Sequence, residues 1–287
     1  MLTGVLHVTS VDPVSGEEIA TGELAIQGAR AALPFRSMRG ESVQTRAKQL
    51  ADRIATQVRA IDAEHGHPVR VRFDVVDDAE ALVSVEPLAL SPAALVRTLV
   101  ERVRHARLAR DLALARITPL ELESSGMFVL EHAALAPYAR GLAASPGAAA
   151  GRLALPADFD TAAGDARVLV IDDAAPEDAI AIRAAAAIIA TSGGLTADAA
   201  IAARALRKPC VVSAPVRLGD RNQPARGDWV TVDGSTGEIH VGALPTRWAP
   251  STPFAAELVS WLDPGPAERP ADALIRWRNA AAQGRPA

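Results

Sequence analysis

The sequence is short of cysteine, aromatics and lysine, and each shortage removes a class of protein. One cysteine, Cys210, among 287 residues excludes an intramolecular disulfide and the multi-cysteine zinc sites. Aromatic residues make up 3% of the chain, with a single tyrosine, so the core has to be built from Ala, Val, Leu and Ile. Lysine occurs only at Lys48 and Lys208, which leaves the positive charge to arginine. Lys plus Arg total 30 against 34 Asp plus Glu, a formal charge of −4 without a clustered basic excess, and no nucleic-acid partner is expected. No run approaches the roughly 18 apolar residues that span a bilayer, so no membrane partner is expected. The start, MLTGVLHVTSVDP, lacks a charged region followed by an apolar one, and a cytoplasmic chain without a signal peptide is expected. Hydrophobic residues at 49% and charged residues at 22% are ordinary for a globular protein of one large or two ordinary domains.

Residues 1–35 read as β structure, two apolar stretches around the turn formers Asp12, Pro13, Ser15 and Gly16. Residues 41–65 place Leu50, Ile54, Val58 and Ile61 at helical spacing. HPVRVRFDVV alternates as a half-buried strand does, and ALVSVEPLAL is a second candidate strand. Ser91-Pro92 opens a helical stretch that runs to LALAR, with Ser as N-cap, Pro at the first helical position and a solvated arginine face. Residues 117–139 read as irregular or short helices. From Gly141 short strands alternate with helices, and DWVTVDGSTGEIHVG closes the region as a hairpin around Gly234 and Gly237. The tail after Pro245 is rich in Pro and Ala and carries Trp248, Trp261 and Trp277, as a docking segment with a frayed end would.

The sharpest local signal is TSGGLTADAAIAARALRKPCVV, residues 191–212. A buried strand runs into Gly193-Gly194, and a helix begins near Thr196. Glycines at such a junction let backbone amides approach a ligand, and the helix start adds unpaired N–H groups and positive potential, a geometry that suits an anion. Many strand–Gly-Gly–helix turns bind nothing, so the geometry alone leaves the anion site open.

The same segment resembles the phosphohistidine motif of phosphoenolpyruvate (PEP)-utilising phosphotransferases, the family of pyruvate, phosphate dikinase. That pattern runs Gly-Gly-Met/Leu-Thr-Ser-His-Ala-Ala, then Arg, then Lys-Pro-Cys-Val. Gly193, Gly194, Leu195, Thr196, Ala199, Ala200, Arg204, Lys208, Pro209 and Cys210 match it. GLAASPGAAAG, with Ser145 and Gly147, resembles the opening of the same swivelling domain, and the closing hairpin is similar too. More faintly, TGVLHVTSVDPVSGEE, TGELAIQG and VRFDVVDDAEALVSVEPLAL resemble the end of the family's ATP-grasp domain. The resemblance implies an α/β chain: a partial ATP-grasp-like α+β unit over 1–90, a helical connector over 91–140, a swivelling β/β/α phosphohistidine-type domain over 141–245 and a tail over 246–287.

The departures from the pattern fall on chemistry. The family's phosphate-accepting His aligns with Asp198. A carboxylate can form an acyl phosphate, but a site shaped for imidazole misplaces a shorter side chain, and about 1 Å can cost on the order of a hundredfold in rate. A carboxylate in a first helical turn also has a purely structural reading. In the family's Gln-Gly-Glu, Gln27 and Gly28 match but Ala29 replaces Glu, and the late-strand Glu, Gln and Arg of the nucleotide site fall on Arg72, Glu86 and Leu88. Independent ATP binding is therefore not expected. The Thr that the resemblance makes regulatory is Thr196, for which a helix-capping role is the simpler expectation. The six histidines show no metal spacing, and no metal site is expected. Cys210 opens a buried strand and is expected to be an inert thiol.

Two functions follow as expectations. One is a catalytically impaired homologue serving as a binding or regulatory module, docked on a complete phosphotransferase. The other is an active phosphocarrier on Asp198, with separate chains supplying the ATP-grasp and PEP sites together with Mg²⁺. An incomplete N-terminal sheet would expose strand edges, so a homo-oligomer is a further expectation.

Overall fold

The computed structural model describes residues 3–18, 20–26, 33–34, 45–131, 136–160, 165–216, 224–265 and 268–283. The chain is mixed α/β and divides into two compact units. The first comprises residues 1–125 and 251–287, the second residues 126–250.

In the first unit, strands β1 (Gly4–Thr9), β2 (Thr21–Ile26), β3 (Leu33–Pro34), β4 (Val69–Val76) and β5 (Ala79–Pro87) form an antiparallel sheet of order β3-β2-β1-β4-β5. Helix α1 (Thr45–His65) lies on one face of it. The expected spacing of apolar residues on α1 works as read: Leu50, Ile54 and Val58 are fully buried against Leu6, Val8, Val71 and Phe73. Strand β4 alternates buried and open positions along its length, so Val69, Val71, Phe73 and Val75 all turn toward α1. Each such side chain contributes about 1.5–3 kcal/mol by leaving water. Strand β5 is an edge, and its Leu82 and Val83, with Val76 at the end of β4, are exposed.

The helical stretch after Ser91 is two helices, not one. Helix α2 (Pro92–Arg104) starts where expected, with the Ser91 Oγ accepting from the Ala94 N–H at 3.2 Å. It stops at His105 because Ala106 turns left-handed at φ 55°, and α3 (Arg110–Arg116) resumes after the break. A capping box between Thr118 and Glu121 begins the short helix α4 (Pro119–Glu123).

The tail supplies two further helices. Helix α7 (Pro253–Ser260) packs on α2, and α8 (Pro270–Ala282) packs on α4. The arginine face of α2 is tied up in these contacts. Arg97 and Arg104 both stack on Phe254 with 5.2 Å to the ring centre, and the Arg104 Nε donates to Glu257 at 3.1 Å.

The second unit opens and closes with a two-stranded ribbon, β6 (Gly126–Leu130) against β15 (Thr246–Pro250). The span 117–139, read as irregular or short helices, thus contains a strand. The main sheet contains β7 (Ala139–Arg140), β8 (Leu142–Ser145), β9 (Ala148–Ala154), β10 (Arg167–Ile171), β11 (Ala187–Ala190), β12 (Cys210–Val212), β13 (Trp229–Asp233) and β14 (Glu238–Val241). Their order is β7-β14-β13-β9-β10-β11-β12-β8. Strands β9 to β12 are mutually parallel and the others pair antiparallel.

The two ends of this sheet are one segment of chain. Residues 139–140 pair with β14, and residues 142–145 pair with β12. The junction is Gly141, where an added Cβ would lie 2.5 Å from the Val212 carbonyl oxygen. The sheet is thereby closed on itself. One of its faces buries Val168, Val170, Ile189, Val211, Val230 and Val232. The other carries α5 (Ala179–Ala184) and α6 (Asp198–Ala205), which bury alanines against Leu169, Ile188 and Val212.

Candidate functional site

The Gly-Gly loop leaves the carboxyl end of β11, a strand whose four residues are all buried. Its first residues are tied to the neighbouring strand exit. The Thr191 N–H donates to the Ile171 carbonyl at 2.9 Å, and its hydroxyl donates to the Asp172 carboxylate at 2.5 Å. The Ser192 hydroxyl and N–H both donate to the Asp172 carbonyl, at 2.8 and 3.0 Å. The chain then reverses at Gly193, whose φ of 85° favours glycine, and an added Cβ there would stand 2.7 Å from the Cβ of Ala197. Gly194 faces open space and its carbonyl accepts from the Ala197 N–H at 3.0 Å. The Ser213 hydroxyl braces the loop by donating to the Gly193 carbonyl at 2.5 Å, with Ser213 itself left-handed at φ 53°.

Helix α6 begins at Asp198, with Ala197 as N-cap and no side chain capping it. The expected capping role of Thr196 is corrected here. Thr196 lies one residue too early to reach the first turn's amides and is exposed. Leu195 is exposed as well, by 51%. Asp198 occupies the first helical position on the solvent side, while Ala199, Ala200 and Ala203 are fully buried. Among the described residues, no hydrogen bond or ion pair engages its carboxylate. That charge itself complements the helix dipole, worth about 0.3–1 kcal/mol, and opposes entry of a second anion at the same N–H groups. Among the described residues no three His, Cys, Asp or Glu side chains stand together as metal ligands.

Gly193, Gly194, Leu195, Thr196 and Asp198 thus share one exposed loop and helix start. Ser145, Gly147 and Arg204 do not join them. Ser145 is buried opposite Cys210, and Cys210 lies beside Ile188 near the amino end of β11, a strand's length (roughly 10 Å) from the loop. Gly147, at φ 108°, donates to the Ser235 hydroxyl at 2.9 Å. The Arg204 guanidinium donates to the Ala144 carbonyl at 3.0 Å and ties the end of α6 to β8. Burial pushes the Cys210 thiol up to about 12, which keeps it protonated and unreactive. Burial also lowers Lys208, whose ammonium donates to the Ala185 carbonyl.

The sequence reading missed Asp172, Asp173 and Ser213. Asp172 and Ser213 directly follow parallel strands β10 and β12, with Asp173 next after Asp172, and the carboxyl ends of parallel strands are where open α/β sheets place ligands. An open cleft of about 750 Å³ lies there, between Leu155, Ile171, Asp172, Thr191 and Ala214. Of the nucleotide-site positions, Arg72 lies on β4, Glu86 is exposed on β5 and Leu88 is buried. Gln27, Gly28 and Ala29 lie outside the described residues.

Residues 164–237 match the family model of the PEP-utilising enzyme, mobile domain, a span that contains the whole loop and α6. The chain is 32% identical over 199 residues to pyruvate, phosphate dikinase of Rhizobium meliloti (strain 1021), covering 61% of this chain and 22% of that one. It is 24% identical over 281 residues to pyruvate, phosphate dikinase of Rickettsia typhi (strain ATCC VR-144 / Wilmington), covering 91% of this chain and 32% of that one. The chain therefore spans between about a fifth and a third of the length of these curated relatives. A solved structure described as the N-terminal domain of Enzyme 1 - Nitrogen aligns over 72% of this chain and 69% of its own, at 17% identity and a TM-score of 0.24, too low to support an inference. Residues 164–237 thus match the mobile domain of PEP-utilising enzymes, and the chain is similar to pyruvate, phosphate dikinases over part of their length.

Proposed function

We propose that this protein is a dikinase-like homologue whose mobile domain no longer carries phosphate unaided and acts as a binding or regulatory module. Its partner would be a complete phosphotransferase, or separate chains holding the ATP and PEP sites with Mg²⁺. One observation supports this reading above the rest. Asp198 stands where the resemblance puts the phosphate-accepting His, exposed and unpartnered among the described residues. A neutral imidazole nitrogen attacks a phosphoryl group and releases it again, whereas a bare carboxylate beside anionic phosphate meets charge repulsion and needs a cation to relieve it. Fixed negative charge at that point imitates the charge of a phosphorylated side chain, with fewer acceptor oxygens.

The first unit fits the same reading. We take residues 1–90 as a remnant of an ATP-grasp domain, 91–140 as its connector, 141–245 as the swivelling domain and 246–287 as a tail. A nucleotide site in which carboxylate and Arg positions have become Arg72 and Leu88 has lost the groups that hold metal and phosphate.

A second reading draws on the accessibility of Asp198. An exposed carboxylate on a braced loop is open to a donor, and phosphoryl transfer to it would make an acyl phosphate.

Intact-mass spectrometry separates the two. The purified chain is incubated with PEP, with ATP and Mg²⁺, or with a complete dikinase as donor. The proposal expects no added mass on the wild type and one phosphoryl group on Asp198→His. A phosphoryl group on the wild type that hydroxylamine removes and Asp198→Ala lacks would establish the active phosphocarrier instead.

A further inference from the structure

A second candidate site lies in the first unit, away from the Gly-Gly loop. It is a pocket of about 340 Å³ between the end of β1, the second half of α1 and the end of α2. That volume is within the range of small-molecule sites. Its walls combine alanines, among them Ala55 and Ala63, with three arginines, Arg59, Arg102 and Arg107.

Two of the three positive charges are already matched. Arg107 donates through Nη2 to both Glu18 oxygens at 2.7 Å. Arg102 donates through Nη2 to Asp62 at 2.6 and 2.9 Å, and Asp62 also accepts from the Ser10 hydroxyl at 2.7 Å. Arg102 is only 6% exposed, yet its Nε has no acceptor among the described residues. Arg59 has no carboxylate partner among the described residues; its single bond is a 3.4 Å contact with the Thr56 hydroxyl. The pocket thus holds three cations against two anions, with one guanidinium uncommitted at its wall. A guanidinium presents a planar fork of donors that fits carboxylate and phosphate oxygens. Arg59 itself is exposed and reached by water, whereas the Arg102 Nε on the same pocket wall is shielded, so a charge-assisted bond is less screened at Arg102 than at Arg59.

We propose that this pocket binds a small oxyanion, a carboxylate or phosphate group on a compact metabolite, with Arg59 as its principal ligand. The two ion pairs hold the other guanidiniums in place and set the excess charge at one. The alanine walls leave room for a short carbon skeleton.

Isothermal titration calorimetry of the full chain with inorganic phosphate, and separately with malonate, tests this. Saturable binding of at least one probe is expected, weakened about tenfold or more by Arg59→Gln. Arg183→Gln, which removes one positive charge from the exposed side of α5, is expected to leave the affinity unchanged. Ala63→Phe, which narrows the pocket and changes no charge, is expected to weaken binding as well. Binding of phosphate alone would assign the pocket to phosphoryl groups, and binding of malonate to carboxylates. No saturable binding by either probe up to about 10 mM, or equal losses in Arg59→Gln and Arg183→Gln, overturns the proposal.

Discussion

Gly193 and Gly194 are neighbours with opposite physical roles. Gly193 is left-handed and has the Ala197 Cβ where its own would stand, whereas Gly194 opens to solvent. Gly193→Ala should cost about 1–3 kcal/mol in denaturant unfolding, and Gly194→Ala less than about 0.5 kcal/mol. Equal costs would mean that the turn is not held as described. Cys210 gives a pH dependence. Its folded thiol titrates near 12 against an ordinary 9.0, so the folded state holds the proton more tightly than the unfolded chain. Below that ordinary value the group leaves stability unchanged. As pH rises from there toward the folded value, stability falls, by up to about 1.4 kcal/mol per pH unit. Denaturant midpoints at rising pH should therefore drop more steeply for the wild type than for Cys210→Ala. Parallel slopes would refute the assignment.

The helix starts differ in how they are finished. Ser91 caps α2 and also donates to the Val14 carbonyl at 3.0 Å, so Ser91→Ala should cost about 1 kcal/mol. Helix α6 has alanine at its N-cap, and Ala197→Ser should add about 0.5–1 kcal/mol. A destabilising Ala197→Ser in chemical denaturation would show that the loop, and not the missing cap, governs that turn. These start signals were legible in the sequence where residue type decides them: Ser91-Pro92 at α2, the Leu50–Ile54–Val58 spacing of α1, the hairpin of β13 and β14. The break at Ala106 was not, because an alanine carries no left-handed preference and only packing imposes one. Strand β6 was missed for a related reason. Its partner β15 lies far along the chain, and only glycine fits at position 126, because the Trp248 ring occupies the space a side chain would need.

The second unit is one continuous segment, while the first is assembled from both ends of the chain. The fragment 126–250 should therefore unfold cooperatively by itself, as followed by circular dichroism. Ending the chain at residue 250 should destabilise the first unit instead, since α7 and α8 supply Ala255, Leu258, Leu274 and Trp277 to its buried residues. A truncated chain with an unchanged melting profile would show those helices to be accessory.

The amino-acid sequence by itself determined the alternation of strands and helices after Gly141, the Gly193-Gly194 loop before a helix and the aspartate at its start. Each of these depends on neighbours within a few residues, where spacing and backbone preference act directly. The tertiary structure decided which of those residues share a site. Ser145, Gly147 and Arg204 fall away from Asp198, while Asp172 and Ser213 come to the loop, because the parallel strands deliver every loop at their carboxyl ends to one edge. Closure of the sheet by residues 139–145 and the uncommitted Arg59 beside Arg102 are likewise products of packing. They depend on contacts between segments that no local pattern relates.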